Sequence, residues 1–435
     1  MSLFGAMNTA ISGLTAQSAA FSNISDNVAN SQTVGFKRVD TAFVDYLTTS
    51  TSAINDSGAV VTRPEYMNNI QGTVAQTDNP LGLAIAGQGF FPVSHPAGAL
   101  GGQTSFSPTA YFSRTGDFQL NKSGYVVNSA GEYLNGWAVN GKTGVVDRNA
   151  VAPIQVSQTV FNPVATSVVT LSANLPATPV VGAVVSSQVN VYDGLGTAHT
   201  VTLNWTQNAG NDWTVSVNVP DDTTAAARGT ADVQFGVTSG NPVADGTVGK
   251  LGAATGSVTT TPYAPNTAAD VSFVTNFGQG PQTIKLDLGN FGQSTGLTQY
   301  AGSNYSLRGL NQDGVPPGSF SSITTSVSGD ISVNYDNGQS RAIARVPIIT
   351  FASPNSLQRQ NGQSFTATIA SGTPLTQDAG TNGAGNLVTG AVEQSNVDIA
   401  QEFSKLIVAQ RAYSANTKLV TTADELLQQT IDMKR

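Results

Sequence analysis

The sequence predicts a mainly β protein with antiparallel, sandwich- or barrel-like middle domains. Its long α-helical termini are expected to pair as a coiled coil, leaving the domains discontinuous and nested. Heptad spacing confined to the two ends, period-two alternation between them, and many Asn-Gly and Asp-Gly pairs carry this expectation.

At the start, Leu3, Met7, Ala10, Leu14, Gln17, Phe21, Ile24 and Val28 recur at alternating steps of four and three, a coiled-coil seam with one polar member. The spacing predicts a helix of about 26 residues, roughly 39 Å long. It stops between Asn27 and Lys37, where Asn and Thr favour caps and turns and Gly35 permits a left-handed exit. At the far end Ser395-Asn396-Val397-Asp398 reads as an N-cap box, after which Ile399, Leu406, Tyr413, Val420 and Leu427 repeat every seven residues. Ala412, Leu419, Leu426 and Met433 repeat on the adjacent position and widen the stripe. Asp398 and Glu402 near its start, with Lys434 and Arg435 at its end, suit the helix dipole, so the pattern predicts one helix of nearly 40 residues, about 60 Å long.

Between the ends the period is two. Trp213, Val215, Val217 and Val219 alternate with Thr214, Ser216 and Asn218 before Pro220, a half-buried strand. Val189 to Tyr192 and Thr200 to Trp205 repeat the pattern around Asp193-Gly194. Asn-Gly occurs at 135, 140, 337, 361 and 382 and Asp-Gly at 193, 245 and 313, pairs that tolerate the positive φ of tight hairpins. Residues 225–270 are Ala/Thr/Gly/Val-rich, and 371–390, small and polar, read as a linker or extended arm.

Composition narrows the chemistry. Charged residues are only 11% of the chain and net charge is −8, with no basic concentration to track phosphates, which argues against nucleic acid. With no cysteine, disulfides, thiolate nucleophiles and Cys-ligated metals are excluded. His95 and His199 are far apart in sequence and read as surface or strand residues. No apolar run is long enough for membrane insertion, and the start lacks the basic and apolar regions of a cleaved signal peptide. Gly136 to Thr143 fits a phosphate-binding loop literally, but Asn135-Gly136 and Asn140-Gly141 are turn pairs and no helical period follows, so a hairpin turn is the reading. Asp221-Asp222 reads as a solvated turn, and Arg114 with Asp117 as an exposed turn ion pair of about 0 to 1 kcal/mol. No enzyme, cofactor or metal is expected.

Residues 1–36 hold one charged side chain, Asp26. A pair of terminal helices would therefore leave a nearly uncharged outer surface in water, which points to packing between subunits.

The segment Asn27-Val28-Ala29-Asn30-Ser31-Gln32-Thr33-Val34-Gly35-Phe36-Lys37 resembles the N-terminal signature of the bacterial flagellar axial proteins, the rod, hook and hook-associated group. Its signature residues here are Asn27, Ala29, Asn30, Thr33, Gly35, Phe36 and Lys37, and Asp26 stands where that group more usually has Asn. Gly390 to Asp398 and Leu406 to Asn416 resemble the group's C-terminal helix, and Leu83 to Phe91, Phe112 to Phe118 and Gly124 to Asn128 its shared β domain. Pro92 departs from the pattern and argues against a central place for its strand. Length, Val191 to His199, Leu297 to Ala301 and Ser328 to Ser340 resemble the hook branch more than the shorter rod proteins.

The resemblance implies paired terminal helices at 1–30 and 395–435 forming an inner tube core, and an extended connector at 31–70 and 365–394. It also implies a shared β domain at 71–155 and 290–364 and an inserted outer β domain at 156–289. The implied function is a structural subunit that polymerises with itself into a flexible curved tube, a universal joint carrying torque from rod to filament. Subunit assembly would use the seam residues Leu3, Met7, Leu14, Phe21, Ile24, Val28, Ile399, Leu406, Tyr413, Val420 and Leu427. Implied partners are the distal rod, the hook cap, the hook-filament junction proteins and the flagellar type III export apparatus, with an extracellular location reached without a cleaved signal. A distal rod protein and a β-rich secreted adhesin with a helical stalk are the alternatives.

Overall fold

The computed structural model describes residues 3–50, 55–100, 103–141, 143–178, 180, 182–238, 240–302 and 304–433. The chain forms two compact units, one from residues 1–158, 321–334 and 340–435 and the other from 159–320 and 335–339.

In the second unit, alternation builds a sandwich. Along Asp212–Asn218 the odd-numbered Trp213, Val215 and Val217 are buried while their neighbours are half-exposed. One sheet orders Val184–Tyr192, Ala198–Ala209, Asp212–Asn218, Ala227–Phe235 and Val248–Ala254, each antiparallel to the next. The facing sheet contains Val258–Thr260, Ala268–Asn276, Pro281–Asn290, Val168–Pro176, Leu297–Tyr300 and Ser306–Gln312. Trp205 and Trp213 from the first sheet and Leu171, Phe273 and Leu286 from the second share one core. The Ala/Thr/Gly/Val-rich stretch 225–270 thus supplies sandwich strands. Residues 290–320 lie in this unit because Leu297–Tyr300 and Ser306–Gln312 pair with Val168–Pro176.

A purely antiparallel arrangement is corrected here. Val168 to Thr170 runs parallel to Lys285 to Asp287, and Ala173 to Pro176 parallel to Leu297 to Tyr300. The whole five-stranded sheet intervenes in sequence, which gives the chain room to return in the same direction as a hairpin cannot. The acidic doublet is corrected in its second member: Asp221 is exposed at a turn as expected, but Asp222 is only 9% exposed. Its carboxylate accepts hydrogen bonds from the Thr224 amide and hydroxyl, the Thr275 hydroxyl and the Asn276 amide, and Arg228 lies 3.1 Å away. Burial raises its pKa, but the Thr224 and Thr275 bonds outweigh that and hold the carboxyl well below the usual range.

In the first unit α1 spans Leu3–Ala29 and α2 spans Ile399–Asp432. The N-cap of α2 is Asp398, whose side chain accepts from the Ala400 and Gln401 amides, so Ser395 to Val397 stay outside and the helix has 34 residues, shorter than expected. Lys434 and Arg435 lie outside the described residues. The part expected as an extended connector contains a hairpin, β1 (Val39–Ser50) antiparallel to β2 (Asn55–Tyr66). It packs on α1, where the Ser12 hydroxyl accepts from the Val60 amide at 3.1 Å and Asn23 donates to the Thr41 hydroxyl at 2.8 Å.

An eleven-stranded sheet runs through Ser340–Arg345, Tyr133–Val139, Phe91–Ser94, Tyr111–Ser113 and Ser364–Thr366. Phe91–Ser94 is therefore central despite Pro92. Its pairing to Tyr133–Val139 starts at Val93, so the missing amide of Pro92 leaves no gap in that ladder. The expected linker 371–390 is likewise paired: Leu375–Gln377 lies on Ile348–Thr350 and Asn386–Thr389 on Leu83–Ala86. Gly385 there allows close backbone approach, since a Cβ on it would come within 2.7 Å of the Ala86 carbonyl. Asn135-Gly136 is not a turn but lies inside a strand, where a Cβ on Gly136 would come within 2.8 Å of the Arg345 carbonyl. Asn140-Gly141 does turn, with the Asn140 amide bonded to the Val145 carbonyl and Gly144 at φ +68. Lys142 lies outside the described residues.

Candidate assembly surface and its ionic anchor

The two terminal helices touch. Phe21 and Tyr413 meet edge to face with centroids 6.2 Å apart, and a Cβ on Gly13 would come within 2.8 Å of the Asn416 amide nitrogen. On α1, Ile24 is buried and Met7, Leu14, Phe21 and Val28 are half-buried, while the side chain of Leu3 lies outside the described residues. On α2, Leu406, Val420 and Leu427 are half-buried, whereas Ile399 and Tyr413 are each 42% exposed. The fully covered α2 positions are Glu402, Ala409 and Ala423, which lie between the heptad residues and let the backbones approach. The rest of α2 leaves a broad apolar face open: Phe403, Ile407, Val408, Leu419, Leu426 and Met433 are all exposed. In a protein this poor in charge, such a face is a candidate contact surface.

The signature residues tie these helices to the β body. Asn27 is fully buried; its Nδ2 donates to the Val39 carbonyl and to Glu402 Oε2, and its Oδ1 accepts from the Val39 amide. Ala29 is exposed, and Asn30 Oδ1 accepts from the Thr33 hydroxyl at 3.2 Å. Gly35 turns at φ +71 against Thr115, where a Cβ would approach the Thr115 amide nitrogen to 2.6 Å. Phe36 is wholly buried beneath the guanidinium of Arg359.

Lys37 completes the set. Its Nζ lies 2.5 Å from Glu393 Oε1 and donates to the Ile70 carbonyl at 2.7 Å. The other oxygen of Glu393 takes Arg114 at 2.8 Å, and the Gly72 amide donates to Oε1 at 2.8 Å. Arg114 also donates to the carbonyls of Ile85 and Gly87. All three side chains are 4% exposed or less. Burial pulls the Lys37 amine down to about 8, against the attraction of Glu393. The expected Arg114–Asp117 turn pair is therefore corrected, because a buried guanidinium requires a full countercharge and carbonyl acceptors, which Glu393 and the neighbouring backbone supply. A second anchor lies at Glu402, where Lys405 bridges Oε1 at 2.8 Å and Asp40 of β1 at 2.6 Å. Burial opposes the charge on Lys405, but the bonds to Asp40 and Glu402 prevail and raise its pKa.

Glu393, Glu402 and Arg114 were not singled out from sequence as partners of the signature. Glu402 carried a signal: a carboxylate three residues after Ile399, on the inner side of an apolar stripe, needs a buried partner.

The histidines, distant in sequence, are not distant from acids in space. His199 stacks on Phe277 at 3.8 Å with Asp221 and Asp193 at 3.2 and 3.5 Å from its two nitrogens. His95 Nε2 lies 3.3 Å from Glu132 Oε1. Burial pushes the Glu132 carboxyl up, although bonds from Asn128 and Ser364 resist. An acid whose pKa is raised on folding contributes stability below its unfolded value, and that contribution is lost as pH rises through the raised one. Glu132→Gln is thus expected to gain stability relative to wild type as pH rises from 4 to 8. Thermal unfolding at both values checks it; a gap that does not change with pH refutes it.

Four family models match in chain order: "Flagella basal body rod protein" over residues 7–37, "Flagellar hook protein FlgE/F/G D1 domain" over 84–172, "Flagellar basal body protein FlaE D2 domain" over 172–315, and "Flagellar basal body rod FlgEFG protein C-terminal" over 388–433. The flagellar hook protein FlgE of Brucella suis is 31% identical over 440 residues, covering all of both chains. The chain belongs to the flagellar hook protein family. The hook protein FlgE of Salmonella typhimurium is 27% identical over 98% of this chain and 99% of its own. The solved hook protein FlgE2 of Helicobacter pylori superposes on 72% of this chain and 98% of its own with a TM-score of 0.49 and 13% identity. As a hook structural subunit the chain is a component of the flagellar hook and basal body, and the adhesin and distal rod readings are not favoured. The two terminal family matches, 7–37 and 388–433, contain Asn27 with Lys37 and Glu393 with Glu402, the residues that meet across the sequence.

Proposed function

We propose that this hook subunit polymerises into a flexible curved tube that passes torque from rod to filament as a universal joint. In this reading α1 and α2 pair as a coiled coil lining the inner tube. Met7, Leu14, Phe21, Ile24, Val28, Leu406, Val420 and Leu427, with Leu3, Ile399 and Tyr413, form its seams. The β domains lie outside and slide on weakly charged surfaces, so bending costs little while the helical core resists twist. The observation that carries the proposal is the exposed apolar face of α2 on helices tied to the β body by buried ion pairs. Load placed on the outside would reach the helices through Glu393 and Glu402. Distal rod, hook cap, junction proteins and the type III export apparatus are the proposed partners and the extracellular hook the proposed location. We assign the chain no catalytic activity and no cofactor.

The test is negative-stain electron microscopy of the concentrated, salted-out chain beside a version lacking residues 1–36 and 391–435. Curved tubes from the full chain alone are the expected result. Straight tubes would favour a rod-like subunit, and tubes from the truncated chain would overturn the role of the helices.

A further inference from the structure

An open polar pocket of about 510 Å³ lies where α1 ends, lined by Asp26, Asn30 and the segment 359–363. Arg359 sits over Phe36, its guanidinium carbon 4.4 Å from the ring centroid, which fixes the plane of the fork. The nearest acid is Asp26 at 3.7 Å, beyond the 2.7–2.9 Å or so of a charge-assisted bond. Asp26 Oδ1 instead accepts from Asn30 Nδ2 at 2.9 Å. Among the described residues the guanidinium has no hydrogen-bond partner, and neither do the side-chain amides of Asn361 and Gln363. The loop is held in left-handed backbone, Gly362 at φ +79 and Gln363 at φ +60, a strained choice for glutamine. A half-buried guanidinium stacked on a ring, with only a loosely placed carboxylate at 3.7 Å and free amides beside it, keeps donors for a second carboxylate.

We propose that this pocket docks an Asp or Glu side chain of a second copy of this chain. Charge supply favours that occupant. With 27 acidic against 19 basic residues the chain has carboxylates to spare, and Lys37, Arg114, Arg228, Arg345 and Lys405 already pair internally. Glu425 and Asp432 on α2 are exposed and in no ion pair among the described residues. The pocket adjoins the end of α1, so it is continuous with the surface that the polymer reading buries, and the inference rests on that reading.

The test uses Arg359→Lys, which keeps a cation and supplies an amine for zero-length carbodiimide coupling. Tubes are grown from equal parts of isotopically heavy and light full chains and digested for mass spectrometry. A mixed heavy-light peptide joining position 359 to an acidic residue is expected, in tubes and not in dilute monomer. Coupling confined to one copy, as to Asp26, overturns the inference while leaving the tubes, and so the polymer reading, intact. Arg359→Gln is expected to raise the critical concentration for tube growth about tenfold with unchanged thermal unfolding; an unchanged critical concentration also overturns it.

Discussion

Glu393→Gln is expected to destabilise the first unit by about 3–5 kcal/mol, the largest single effect among the substitutions considered. The substitution keeps volume and removes charge, so Lys37 and Arg114 are left as two cations in a site that water barely reaches. Their remaining acceptors, the carbonyls of Ile70, Ile85 and Gly87, offer dipoles in place of a full charge. Urea unfolding followed by circular dichroism and by calorimetry is the measurement, with the second unit's transition as internal reference. Adding Lys37→Met should recover part of the loss, since one unpaired cation is removed with its partner. A loss below about 1 kcal/mol would mean that the anchor is dispensable.

Leu406→Asp, and equally Leu14→Asp, is expected to abolish tube formation, raising the critical concentration more than about 100-fold, or 2.7 kcal/mol. Both side chains are half-buried, and a carboxylate at either place is moved out of water without a partner. The β signal in circular dichroism and the fluorescence of Trp205 and Trp213, which lie in the second unit, should stay unchanged, since neither substitution touches that core. Sedimentation of soluble monomer at concentrations where wild type forms tubes reads the effect. Normal tubes from either variant would remove the seam from the account of assembly.

Much of the fold was legible from residue spacing. Leu3 to Val28 set out a helix at steps of three and four, and Trp213 to Val219 a strand at steps of two, because one-sided burial imposes its period directly on the sequence. What escaped were pairings that depend on distant segments. The parallel pairing of Val168–Pro176 and the strands within 371–390 have no local signature, since Gly, Thr and Ala there suit close backbone approach as well as they suit a linker. The signature segment was visible, but the partners of Asn27 and Lys37 were not, because Glu402 and Glu393 lie 375 and 356 residues away. Arg114 had a plausible neighbour in Asp117, and only three-dimensional burial shows why that neighbour loses to Glu393.

Those separations also set a timetable. The amide of Asn27 and the ammonium of Lys37 precede the first β strand, and the carboxylates that accept from them lie 375 and 356 residues further on. At about 5–20 residues per second, a synthesised α1 waits some tens of seconds without its buried partners. The second unit is complete well before, since its residues end at 339. The second unit's own segments are thus all present before Glu393 and Glu402 arrive to complete the contacts of Asn27 and Lys37.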